Sequence, residues 1–135
     1  MDFAVHHVAL SVSDIRKSER FYGFFGFRKV AEYISESEGL HILHLKKDSF
    51  IIELFSFRDY IPSEKYSLWE DLKVLGYRHI AFKVEDIYRA KEELIKKGLI
   101  SPSTEIKKGK TGILYFFLTD PDGNFVEIVE DKRDI

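Results

Sequence analysis

The chain contains no cysteine, which removes disulfides, thiolate metal ligands and a cysteine nucleophile together. No apolar stretch approaches the ~18 residues that span a bilayer. The N-terminus lacks the basic segment and following apolar run of a signal peptide. Lys and Arg number 21 against 23 Asp and Glu, a net charge of −2. No excess of one sign therefore points to nucleic acid or an anionic membrane as the main partner. These absences leave a soluble protein, cytoplasmic by default, with no nucleic-acid or membrane partner expected. What is there is an apolar content of 44% in 135 residues, enough to give one domain, or two small repeated modules, a real core.

One stretch sets the question for the rest. Asp120-Pro121-Asp122-Gly123 reads as a tight turn: Pro presets φ, Asp bonds its own backbone and Gly supplies positive φ. A strand follows in which Phe125, Glu127 and Val129 share one face and Val126 and Ile128 the other. Glu127 is a carboxylate between apolar neighbours, a place that calls for a pairing partner, a hydrogen bond or a metal.

Taken in order, residues 3–12 alternate as a strand, with Val8, Leu10 and Val12 on one face and Val5, His7, Ala9 and Ser11 on the other. Asp14 caps a helix that Gly26 ends. Strands are expected at 28–34, 40–45 and 50–55, separated by polar turns. The first half thus reads βαβββ. Residues 57–76 form a connection with one short helix near 67–75. Tyr66 and Trp69 lie in it and either cover a groove or partner surface or, the favoured reading, tuck onto the nearest module.

The pattern then restarts. His7-Val8-Ala9-Leu10-Ser11-Val12-Ser13-Asp14-Ile15 lies over His79-Ile80-Ala81-Phe82-Lys83-Val84-Glu85-Asp86-Ile87 at a constant offset of 72. Asp86 caps a second helix ended by Gly98; a weak strand is expected at 104–107 and clear ones at 113–118 and 125–129. Glu53 lies over Glu127 at an offset of 74, a drift read as one small indel. Internal duplication of this kind predicts an α+β fold of two βαβββ units with approximate two-fold symmetry.

The repeat singles out His7, Glu53, His79 and Glu127, each mid-strand and each on the face opposite the helix-covered core, expected to be the concave face of a curved sheet. Two neutral imidazoles and two carboxylates balance a divalent cation. Mixed N/O ligation suits zinc, nickel, cobalt, manganese or iron better than calcium. Any one of these residues alone reads as a satisfied histidine or a buried salt-bridge acid; four at equivalent repeat positions read as metal ligands. His6, His41 and His44 have no repeat partner and read as surface or structural. Gly109-Lys110-Thr111 lacks the first glycine of a phosphate-binding loop, and Asp120–Gly123 lacks calcium-loop spacing.

On these motifs, together with Phe21-Tyr22, Gly26-Phe27, Ile52-Glu53-Leu54 and Arg78-His79-Ile80-Ala81-Phe82, the sequence resembles the glyoxalase / bleomycin-resistance / extradiol-dioxygenase group, the vicinal oxygen chelate proteins. The resemblance covers nearly the whole chain. It implies paired βαβββ modules forming an incomplete curved barrel, here 1–58 and 77–135 joined by 59–76, one such domain overall. It implies one divalent metal on His7, Glu53, His79 and Glu127. The lysine-rich loop of the second module and the tight turn before Glu127 make Glu127 the expected proton-transfer base and Glu53 its symmetric counterpart. The resemblance departs where glyoxalase I holds glutathione: the Arg four positions after the first His is Ser11 here, and the Asn four after the first Glu is Phe57. The segment 107–112 resembles that enzyme's basic glycine loop and would bring Lys110 to an anionic small-molecule substrate. The activity implied is a lyase or isomerase of the glyoxalase I (lactoylglutathione lyase) type, in which the metal holds two substrate oxygens and stabilises an enediolate. The alternatives are an Fe(II) ring-cleaving dioxygenase, an acyl-thioester epimerase, and a metal-free binding protein of the bleomycin-resistance kind. Small members of the group pair, and the aromatic-rich connection offers apolar surface, so a homodimer is expected.

Overall fold

Asp14 accepts hydrogen bonds from the backbone N–H groups of Arg16 and Lys17, and Asp86 from those of Tyr88 and Arg89. The two caps share one backbone conformation, φ −132° and ψ 102° at Asp14 against −136° and 103° at Asp86. A side-chain oxygen satisfying the first free N–H groups is what makes Asp a strong helix starter. Each cap opens a ten-residue helix, α1 (Ile15–Phe24) and α3 (Ile87–Lys96). The computed structural model describes residues 1–135 and divides into two units, Met1–Glu64 and Lys65–Ile135.

In the first unit β1 (His7–Ser11) precedes α1, and β2 (Arg28–Ser35), β3 (Leu40–Lys47) and β4 (Phe50–Phe57) follow it. Their sheet order is β1-β4-β3-β2, with β1 parallel to β4 and the other pairs antiparallel. The second unit holds the short helix α2 (Leu68–Asp71), then β5 (Ile80–Lys83), α3, β6 (Lys107–Lys108), β7 (Leu114–Thr119) and β8 (Phe125–Glu130), in the order β5-β8-β7-β6. The fold is α+β, with two βαβββ modules and two open four-stranded sheets.

Each helix covers one sheet face and makes that unit's core. Leu43, Leu45, Ile52 and Leu54 are buried with Ile15 and Tyr22 of α1. In the second unit Phe116, Leu118, Val126 and Ile128 are buried with Ile87 and Leu94 of α3. Period-two alternation sends the intervening residues, Glu53 and Glu127 among them, to the face away from the helix.

The strand registers refine the repeat. Ala9 pairs with Glu53, and Ala81 with Glu127. Across the next ladder His44 faces Glu53, and Phe117 faces Glu127. The offset is 72 at Ala9/Ala81, 73 at His44/Phe117 and 74 at Glu53/Glu127, so the drift is two single-residue steps rather than one indel. One step precedes β7; the other lies in the β7–β8 turn. There buried Asp120 accepts the backbone N–H groups of Asp122 and Asn124, while Gly123 adopts φ +81°. The corresponding β3–β4 connection is only Asp48-Ser49, with Asp48 at φ +53°.

Four expectations are corrected. β1 begins at His7, not at residue 3, because its parallel partner β4 begins at Phe50 and leaves earlier residues nothing to bond. For the same reason Val8, at the edge of the sheet, is exposed, and of its alternating set only Val12 is buried. The weak strand at 104–107 is the two-residue β6, whose lysines blunt an exposed sheet edge. The helix expected at 67–75 spans only Leu68–Asp71, and Tyr66 and Trp69 stand exposed rather than tucked in; Leu75 and Tyr77 are exposed beside them.

Charge ties α1 to the outer strand of the first unit. A bulge at Val30 puts Lys29 and Glu32 on one face. The Glu32 carboxylate accepts from Lys29 and Arg16 at 2.8 Å and from His41 at 2.6 Å. The Lys29, His41 and Arg16 hydrogen bonds lower its pKa from 4.5 to about 2. A lowered carboxylate pKa contributes stability that is complete above the unfolded value and lost as pH falls through the folded one. The expected result is a melting temperature that declines from about pH 4.5 toward about pH 2, with a shallower decline in Glu32→Gln. Thermal melts across that range read both; parallel curves would place the acid sensitivity elsewhere.

Candidate functional site

The four residues marked by the repeat form two pairs, one on each sheet. In the first unit His7 Nε2 stands 3.2 Å from Glu53 Oε1. In the second, His79 Nε2 stands 2.9 Å from Glu127 Oε2. The matching registers explain the likeness: the histidine lies two residues before the alanine that pairs with the glutamate, so imidazole and carboxylate are diagonal neighbours on one face. Glu53 and Glu127 are mostly screened from solvent, with side chains 17% and 13% exposed.

The donor chemistry fits a transition-metal ion. Two ligand atoms each roughly 2.0–2.2 Å from one ion, at tetrahedral or octahedral angles, lie roughly 2.8–3.6 Å apart. The two His–Glu separations match that spacing. Within this structure no three His, Cys, Asp or Glu side chains gather as a ligand group; the four residues are seen as one His–Glu contact in each unit.

Around the pairs the two units differ. His44 Nε2 donates to Glu53 Oε2 at 2.7 Å, and its ring stacks on that of His7 with centroids 6.2 Å apart. At the matching place in the second unit stands Phe117, packed edge-on to His79 at 5.0 Å. His6 lies outside the strand, so alternation does not send it away from His7; the two Nδ1 atoms are 2.9 Å apart, one ring donating to the other. His6 and His44, read from the sequence as surface or structural, thus contact the candidate residues His7 and Glu53, whereas His41 serves structurally on Glu32. His44 has no repeat partner by residue type, which hid it. The two-residue turn at Asp48-Ser49 was the usable signal, since it fixes Lys47 opposite Phe50 and hence His44 opposite Glu53.

Of the residues assigned to substrate, Ser11 and Phe57 lie on the same face of the first sheet as His7 and Glu53. Ser11 pairs with Phe55, whose ring stacks on Phe57 at 6.1 Å and 2° between planes. Phe57 also walls a cavity of about 290 Å³ with Ser13, Leu40, Arg58 and Tyr60, which contains neither His7 nor Glu53. Lys110 is exposed in the turn between β6 and β7, a turn closed by the Gly109 N–H donating to the Ile113 carbonyl. Arg78, just before His79, donates to Asp71 at 2.8 Å and fastens α2 to the entry of β5.

Duplicated βαβββ units, each with one helix against a four-stranded sheet, define a fold with known relatives. The chain belongs to the glyoxalase/bleomycin resistance protein/dioxygenase superfamily, whose family model matches residues 4–128. Bacillus subtilis YwkD, an uncharacterized protein, is 36% identical over 129 residues, covering 94% of this chain and 96% of its own. The lactoylglutathione lyase of Neisseria meningitidis is 30% identical over 133 residues, covering 93% and 89%. The crystal structure of a glyoxalase family protein from Enterococcus faecalis superposes with a TM-score of 0.78 at 30% identity, covering 94% of this chain and 97% of that one.

Proposed function

We propose that the protein is a metal-dependent lyase or isomerase of the glyoxalase I type, moving a proton between adjacent carbons of a small substrate with two vicinal oxygens. The observation that carries this reading is the pair of repeat-related His–Glu contacts, His7–Glu53 and His79–Glu127. These four residues would hold one divalent ion, zinc, nickel or cobalt in first place and manganese or iron in second. The ion supplies Lewis acidity toward the two substrate oxygens. Glu127 takes the proton from the substrate carbon and returns it to the neighbouring one, so the net change is an isomerisation without loss of atoms. Glu127 meets His79 through Oε2 alone, so Oε1 is the oxygen left to move the proton. Phe55 and Phe57 give the first unit's face an apolar wall.

Ser11 and Phe57 stand where the resemblance to glyoxalase I locates glutathione-binding Arg and Asn, so the thiol part of the substrate is expected to be a carrier other than glutathione. The test is elemental analysis of protein purified without chelators, followed by a panel of dicarbonyl–thiol adducts offered to the zinc, nickel and cobalt forms. One ion per ligand set and isomerisation of a member of the panel are expected. Protein that takes up none of zinc, nickel, cobalt or manganese sinks the proposal.

The exposed Trp69, Leu75 and Tyr77 fit a homodimer in which apolar surface is covered by a second copy. Sedimentation at micromolar concentration with metal bound is expected to show a dimer; monomer alone rejects it.

A further inference from the structure

We propose that His44 is a positioning residue that locks Glu53 as a one-oxygen ligand, making the two carboxylates of the repeat unequal. This inference rests on the metal reading above and adds to it a role for a residue outside the ligand set. Glu53 has both oxygens committed, Oε1 toward His7 and Oε2 to His44. Glu127 has one, Oε2, toward His79. A carboxylate accepts and does not donate, so the proton in the 2.7 Å contact belongs to His44 Nε2. That bond takes one of the two lone pairs on Oε2 and turns this oxygen toward His44, so Oε1 is the oxygen left to face a metal. It also fixes the carboxylate plane, because His44 is itself held on the opposing strand by the β3–β4 register and by stacking on His7. In the second unit the corresponding Phe117 has no N–H to give. Glu127 keeps its rotational freedom and its uncommitted oxygen, as a base that must swing requires. The chemistry is that of an outer-sphere partner, which orients a ligand and tunes its basicity without touching the ion.

The experiment titrates cobalt(II) into apoprotein, reading affinity by competition with a chelator and ligand number by visible absorption. His44→Phe installs the residue found at the matching position of the second unit, so the sheet is expected to accept it. His44→Leu is a second donor-free variant should that one fail to fold, and His44→Gln keeps an N–H of similar reach. The donor-free variants are expected to bind cobalt(II) about 10–100-fold more weakly, the usual effect of losing such a partner. Their absorption should also weaken, as Glu53 becomes free to bind through both oxygens and the coordination number rises. The glutamine variant should recover most of the affinity and the wild-type spectrum. Unchanged affinity and spectrum in a donor-free variant overturn the role of His44 and leave the metal reading standing. A wild-type protein that binds no cobalt(II) overturns both.

Discussion

His79→Ala is expected to lower metal affinity by more than roughly 100-fold, taking metal content after dialysis from one ion per ligand set to a trace. Even an outer partner of a ligand contributes about 10–100-fold; removing the imidazole deletes a coordinate bond and should exceed that. The variant also strips Glu127 of its only hydrogen-bond partner, leaving a mostly screened carboxylate with no fixed direction. The cost to folding is separate and smaller. His79 meets Phe117 edge-on at 5.0 Å, and an aromatic contact of that kind contributes about 0.5–1.5 kcal/mol. A variant that melts close to wild type yet holds no metal is therefore the expected pair of results, read by thermal melting and elemental analysis on one sample. His7→Ala should behave alike, since His7 stands to Glu53 as His79 does to Glu127. Full metal content in either variant would remove that histidine from the ligand set.

What made these residues legible was local chemistry stated twice. Asp14 and Asp86 each announce a helix through the same cap, and that fixes the phase of the repeat. Once the phase is known, a carboxylate at Glu53 or Glu127 among alternating apolar residues declares its face of the sheet. Symmetry by residue type had a blind side. His44 has a phenylalanine as its counterpart, so repetition of residue type does not mark it, although the Asp48-Ser49 turn dictates its register opposite Glu53. The start of β1 departs from the sequence pattern for a different reason. Alternation at Phe3 and Val5 is a property of the chain itself, whereas a strand needs a partner, and β4 supplies none before Phe50. The exposure of Trp69 and Leu75 was equally invisible, because apolar composition says that a surface should be covered, not by what.

Glu127→Gln is expected to lower turnover by about 10²–10⁴, the range that a positioned general base contributes, while keeping part of the metal affinity, because the amide oxygen still ligates. Glu53→Gln should lose less turnover. The argument turns on which carboxylate has an oxygen to spare. A carboxylate whose lone pairs are given to a cation and to hydrogen bonds is a poor proton acceptor. Glu53 accepts from His44 on one oxygen and faces His7 with the other, at 2.7 and 3.2 Å. Glu127 is held on one side only, at 2.9 Å, and β8 carries it two residues after Phe125, where the strand leaves the Asp120 turn. Side-chain rotation frees the Glu127 carboxylate to accept a proton; the hydrogen bond from His44 denies Glu53 the same movement. The lysine-bearing turn between β6 and β7 belongs to the second unit as well, so an anionic substrate attracted to Lys110 would favour the Glu127 side. The measurement is turnover of a substrate from the dicarbonyl–thiol panel by both variants, each with its metal occupancy determined. Full turnover by Glu127→Gln at full occupancy would transfer the proton-moving role to Glu53 or to a metal-activated water. His44 would then orient the working base in place of a static ligand.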